Sequence, residues 1–284
     1  DKKYYTLEEY KTLIEANQTD KDKNLIYIYA TDAVAQYSYI EIAKSKGYDV
    51  LLMDGQLDIH FIGLLEQKLE KSRFVRVDSD IIDNLVRKND RTEVSLDAAQ
   101  RNMMTTVFKS QIPTLEKAEF MVMFEALGEQ SQPVIITQNE FMRRMKDMSA
   151  MQPGMNFYGE MPDSFNLIIN TEHPLSKKVI EETEKDCHAE PIQKEINELN
   201  DAIAKLQEAS KGKKDEEIPI TEKEELRNKE KEVDSLRKKE SELLTQYANK
   251  HKLVRQLVDL ALLSNNMLKG EALSQFIKRS VEML

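Results

Sequence analysis

Four histidines and one cysteine are the side chains of this sequence best suited to move a proton or attack a carbon. Their spacing decides whether they can cooperate. His60, His173, His188 and His251 fall on different segments, with no metal-ligand spacing between them. Cys187 and His188 are adjacent, but a thiolate–imidazole couple needs another geometry and an orienting third group. No HExxH, GxSxG or P-loop pattern occurs. His173, within Asn170-Thr171-Glu172-His173-Pro174-Leu175, reads as part of a strand-to-helix turn. Methionine offers a different chemistry. Six of the 13 methionines fall together, at Met142, Met145, Met148, Met151, Met155 and Met161. On a helix Phe141, Met142, Met145, Met148 and Met151 cover one broad face, with Arg143 and Lys146 on the other side. Such a stripe is either core packed on a sheet or an exposed, adaptable surface that holds other chains. Pro153-Gly154 should end the helix, and 152–164 reads as a polar loop.

The segments around these residues alternate strand and helix. Residues 25–30 (LIYIYA), 50–53 and 74–77 read as strands, with a helix over 57–69. Thr31 can cap the first crossover helix, where Val34, Tyr37 and Ala43 fall near one face, and Gly47 sits where a helix C′ residue would. Strand, helix and strand within about thirty residues form a βαβ unit, which predicts a parallel sheet. That unit invites a nucleotide, but the first crossover, Ala30-Thr31-Asp32-Ala33, has no glycine to let a phosphate approach the backbone. Further on, 98–111 carries Met103, Met104, Val107 and Phe108 at helical spacing, and 120–124, 134–137 and 165–169 read as strands of a second sheet.

Charge is distributed unevenly. The chain has 284 residues, a net charge of −10, 32% charged and 40% hydrophobic residues, and no Trp. Within 190–245, 28 of 56 residues are charged, and no aromatic occurs between Phe165 and Tyr247. Ile192, Ile196, Leu199, Ile203 and Leu206 are spaced as a heptad seam, and Leu226, Val233, Leu236 and Leu243 resume it after a break near Lys211 and Pro219. The pattern predicts an antiparallel coiled-coil hairpin, with Thr221 and Glu224 as a capping box at the start of its second helix. The hairpin is either a solvated arm or a contact for a partner. Two apolar helices close the chain. Tyr247, Val254, Leu257, Val258, Ala261 and Leu262 form one stripe, and Leu273, Phe276, Ile277, Val281 and Leu284 the other. They cover either their own domain or a second copy in a four-helix contact. The acidic balance disfavours nucleic acid, no apolar run is long enough for a membrane helix, and a single Cys rules out an internal disulfide. The start, DKKYYTLEEY, reads as the interior of a longer protein.

Four segments together resemble the back half of the heat-shock protein 90 chaperones, in the bacterial form called high-temperature protein G. They are KNLIYIYATDAVAQYSYIEIAKSKGYDVLLMD (23–54), FMRRMKDMSAM (141–151), FNLIINTEHPL (165–175, with Thr171-Glu172 where the family has Pro-Asp) and LVDLALLSNNMLKGEALSQFIKRSVEML (257–284). The match covers nearly the whole chain except 184–246.

The resemblance implies an α+β fold. It would comprise a small α/β lobe over 1–80, at the end of the family's middle domain, and a C-terminal dimerisation domain over 81–284, with the charged hairpin inserted at 184–246. It further implies a homodimer through Val254, Leu257, Val258, Ala261, Leu262, Leu273, Phe276, Ile277, Val281 and Leu284. Non-native client proteins would be held by Phe141, Met142, Met145, Met148 and Met151. It implies no catalytic residue and no cofactor in this stretch, because the family's ATP and Mg site lies in its N-terminal domain and its γ-phosphate Arg lies upstream. A cytoplasmic chaperone, with no nucleic-acid or membrane partner, is the reading that follows. A nucleotide-binding enzyme and a coiled-coil scaffold are the rival classes.

Overall fold

The computed structural model describes residues 3–55, 57–88, 93–151, 161–211 and 219–283; of residues 59, 147, 148, 150 and 151 the backbone alone is described. The fold is mixed α+β, with two three-stranded sheets among the described residues. The first sheet contains β1 (Leu25–Ala30), β2 (Leu51–Leu52) and β3 (Ser72–Arg76) in the order β2-β1-β3, and both pairings are parallel, as a βαβ unit requires. All six residues of β1 are buried, because each face of the sheet has its own cover. Ile26, Ile28 and Ala30 point to one face and pack with Ile40 and Ala43 of α2 (Tyr37–Ser45); this cluster runs on to Leu85 and Val86. Leu25, Tyr27 and Tyr29 point to the other face, with Tyr10 and Ile14 of α1 (Leu7–Gln18) and Ile62 of α3 (Asp58–Lys68). Tyr27 stacks on Phe74 at 4.6 Å between ring centroids.

Local chemistry moves some boundaries. The helix α2 begins at Tyr37, not after Thr31, because the side chain of Gln36 turns back to accept the N–H groups of Thr31 and Asp32. Ile40 and Ala43 then face the core, while Val34 and Tyr37 are exposed, correcting the expected face. Gly47 has φ +76 and follows the C-cap, the left-handed position that favours glycine. The strand expected over 50–53 pairs at two residues only.

After the one-turn helix α4 (Ile82–Leu85), α5 (Ala98–Lys109) leads to the second sheet. There β4 (Ala118–Glu125) runs parallel to β6 (Asp163–Asn170), and β5 (Val134–Gln138) antiparallel to it, in the order β4-β6-β5. The helix α6 (Glu140–Met151) lies between β5 and β6 in sequence. The helices α7 (Pro174–Asp186), α8 (Glu190–Ala209), α9 (Ile220–Lys250), α10 (Lys252–Ser264) and α11 (Gly270–Met283) follow. One large cluster joins α5, this sheet, α7, the end of α9, and α10 through residues such as Met104, Phe108, Leu167, Val179, Leu244 and Val258. Away from it, Ile196 of α8 packs with Val233 and Leu236 of α9. No side chain caps α9, whose N-cap is Pro219, so Thr221 and Glu224 lie inside the helix and are not its capping box. The segment 152–160, expected to be a loop, lies outside the described residues, and 163–164 belong to β6.

The lobe and the second sheet meet through polar contacts. The Tyr39 hydroxyl reaches the Ile136 carbonyl and, at 2.9 Å, Asn265 Oδ1 at the end of α10. Arg76 donates to Gln138 at 2.9 Å, and the Gln138 N–H donates to the Asp78 carbonyl at 3.1 Å.

Candidate functional site

In the first candidate, the crossover after β1, four backbone donors are already taken by side chains of the same turn. Gln36 Oε1 takes the N–H groups of Thr31 and Asp32 at 2.8 and 3.0 Å, and Asp32 Oδ1 takes those of Val34 and Ala35 at 2.9 Å each. A phosphate-cradling loop keeps such donors open. Two of the histidines, His173 and His251, cap helices. His173 caps α7 by accepting the Leu175 N–H at 3.1 Å, as its place at a strand-to-helix turn predicts. His251 caps α10 and faces Glu182 at 3.0 Å. Cys187 is buried, and burial pushes its thiol up, away from the thiolate form a nucleophile needs.

The methionine helix is the second candidate, and its orientation is the reverse of an ordinary surface helix. Its polar side is the anchored one. Arg143 is 5% exposed, and its Nη2 donates to the Tyr29 hydroxyl at 2.6 Å and to Glu140 Oε1 at 2.9 Å. The Tyr29 hydroxyl in turn donates to Glu140 Oε1 at 2.8 Å. Arg144 donates to Glu140 at 2.6 Å, to Glu66 of α3 at 2.8 Å and to the Phe74 carbonyl at 2.5 Å. Lys146 pairs with Asp163 at 2.7 Å, at the start of β6.

Two titrations follow from this packing. Burial alone would raise the Glu140 carboxyl, but the Arg143 and Arg144 guanidinium groups outweigh it and hold it below the usual carboxylate range. Burial and the neighbouring Glu140 push the Tyr29 hydroxyl up to about 12.

On the opposite side Phe141 is 66% exposed. Met142 and Met145 are half-buried, and neither joins any apolar cluster among the described residues. The side chains of Met148 and Met151 lie outside the described residues. Sequence periodicity found the apolar stripe. It missed Tyr29, Glu66 and Phe74 as anchors, because their only local signal is a polar edge on α6.

The closing helices divide differently from expectation. Val254, Leu257, Val258, Ala261 and Leu262 are all at most 4% exposed, packed within the chain's own core, and so offer little surface of their own to a second copy. Their stripe faces α5, the second sheet and the end of α9. Leu273 and Phe276 are half-buried against the same cluster. Ile277 and Val281 point outward, at 54% and 68% exposure, and Leu260 is also exposed. Leu284 lies outside the described residues. Polar groups hold α11 in this rotation. Arg279 reaches the buried Asp259 carboxylate and donates to Gln256 at 3.0 Å, and Gln256 donates to Ser280 at 2.7 Å.

On α6 Phe141, and on α11 Ile277 and Val281, are thus exposed apolar side chains beside polar anchors, the kind of surface that suits contact with other chains. No protein-family model matches the chain. It is 56% identical to a chaperone protein HtpG of Bacteroides fragilis and 55% identical to that of Bacteroides thetaiotaomicron, over 286 residues each. It is 49% identical to that of Porphyromonas gingivalis over 282 residues. These alignments cover 99–100% of the chain but only 41–42% of the relatives. The chain belongs to the HtpG family, the bacterial heat-shock protein 90 chaperones, and spans about two fifths of the length of those relatives, 41–42%.

Proposed function

We propose that this chain is the client-holding and dimerising part of an ATP-driven chaperone. The observation that carries the client-holding half is the helix α6, whose charged side is tied down while Phe141 stands free with Met142 and Met145 beside it. Methionine suits this task. Its unbranched, polarizable side chain adapts to varied apolar segments without a fixed partner shape. The exposed Ile277 and Val281 on α11, with Leu260 on α10, form the surface through which two copies would pair, a narrower set than the full stripes. Pairing would bring two remote ATP-binding domains to high effective concentration. The arm of α8 and α9 adds an antiparallel coiled-coil hairpin at the side. The whole would act in the cytoplasm, and no helix among the described residues is long and apolar enough to cross a membrane.

The test is suppression of aggregation of thermally unfolded citrate synthase. The Met142→Ser, Met145→Ser variant should hold that client several-fold less well while melting within a few degrees of the parent, because neither side chain belongs to a core cluster. Unchanged holding would overturn the reading.

A further inference from the structure

The anchor of α6 ends on the free edge of a sheet. In the order β2-β1-β3, strand β3 has one side without a strand neighbour among the described residues. There the Phe74 N–H donates to Glu66 Oε1 at 2.8 Å, and the Phe74 carbonyl accepts from Arg144 Nη2 at 2.5 Å. Glu66 and Arg144 are themselves paired at 2.8 Å. Together they satisfy the two backbone groups of Phe74, where a missing strand would otherwise be needed. Arg144 also holds Glu140 on its own helix at 2.6 Å, and Glu140 receives Arg143 and Tyr29. One guanidinium therefore links α6, α3 and the edge of β3.

We propose that Arg144, with Glu66 and Glu140, is a positioning set that keeps α6 rotated with Phe141 exposed and Met142 and Met145 half-exposed beside it, so that the lobe controls how much of that apolar surface is offered to a client. The physical reason is a competition. A helix with an apolar face lowers its free energy by turning that face onto protein, at about 25 cal/mol per Å² buried. Turning α6 inward would carry Arg143 and Arg144 away from Tyr29, Glu66 and the Phe74 carbonyl, so the buried Tyr29 hydroxyl and Phe74 carbonyl would lose these donors and Glu66 its ion pair. The client part of this inference rests on the function proposed above; the rotational part does not.

The experiment uses the full chain with Arg144→Gln, Glu66→Gln and the double variant. Peroxide oxidation of Met142 and Met145, followed by peptide mapping, reads the rotation. Oxidation should slow by about threefold or more in Arg144→Gln, as the thioethers turn inward. Simple loosening of α6 would speed it instead. The double variant should match the stronger single variant, since both substitutions open one latch. Holding of unfolded citrate synthase should fall in step with the oxidation rate. Unchanged or faster oxidation would overturn the positioning role. Slower oxidation with undiminished holding would overturn control of the client. If Arg144→Gln does not fold, Tyr29→Phe, which deletes one hydroxyl, carries the same readouts. Failure of the Met142→Ser, Met145→Ser test with slowed oxidation in Arg144→Gln would sink client holding and leave the rotation standing.

Discussion

At the scale of residues, the chain uses charge where a surface helix would use leucine. Glu140 is the centre of the arrangement, accepting from Tyr29, Arg143 and Arg144 at once. Its carboxyl lies below the usual range in the folded state, so it binds a proton less readily there than in the unfolded chain. The resulting stability is present above the unfolded carboxylate value, about 4.3, and is lost as pH falls through the folded value. Glu140→Gln should therefore lower stability at neutral pH and flatten its decline in acid. Urea titrations between pH 7 and pH 3 would check this, and a parallel decline in parent and variant would count against it. Tyr29→Phe should cost about 1–3 kcal/mol by removing one charge-assisted hydrogen bond each from Arg143 and Glu140, measured at pH 7 in urea.

At the scale of elements, sequence patterning was informative about apolar faces and silent about what covers them. LIYIYA reads as a strand because its apolar and β-favouring residues run without a break, and it is buried on both faces. The stripe on α10 was equally visible, yet a helical period is the same whether the cover is the same chain or another. Five of its residues belong to this chain's core. The anchors of α6 were illegible for another reason: Tyr29, Glu66 and Phe74 lie 111, 78 and 70 residues from the groups they bind. Helix starts were misplaced where a side chain from the adjoining turn, such as Gln36, took the backbone donors. The division within the closing helices gives a contrast. Leu257→Ala should cost about 2–5 kcal/mol by leaving a cavity, at any protein concentration. Ile277→Ala should leave the unfolding of a dilute sample nearly unchanged. Equal losses at the two sites would refute that division.

At the scale of the whole molecule, both outward faces have polar roots: α6 through Arg143, Arg144 and Lys146, and α11 through Arg279 and Gln256. Light scattering should find a dimer in the parent and a folded monomer in Ile277→Asp, Val281→Asp. A parent that stays monomeric at tens of micromolar would end the pairing proposal. The arm can be tested separately, provided the cut spares the end of α9, because Leu244 and Ala248 belong to the main core. Replacing 192–236 with a short turn should leave association unchanged, since Ile196, Val233 and Leu236 form a cluster of their own.

The large cluster draws on Leu96 near its start and on Leu262 and Leu268 far beyond the arm. During synthesis the lobe can close once Val86 has left the ribosome, whereas the second sheet must wait for α10. At 5–20 residues per second that interval is roughly 10–35 s. For the later part of it Leu167 and Ile169, buried in the finished protein, have only part of their cover. A chain whose relatives are named for chaperoning others passes through a nascent stage in which its own strands are candidates for the same help.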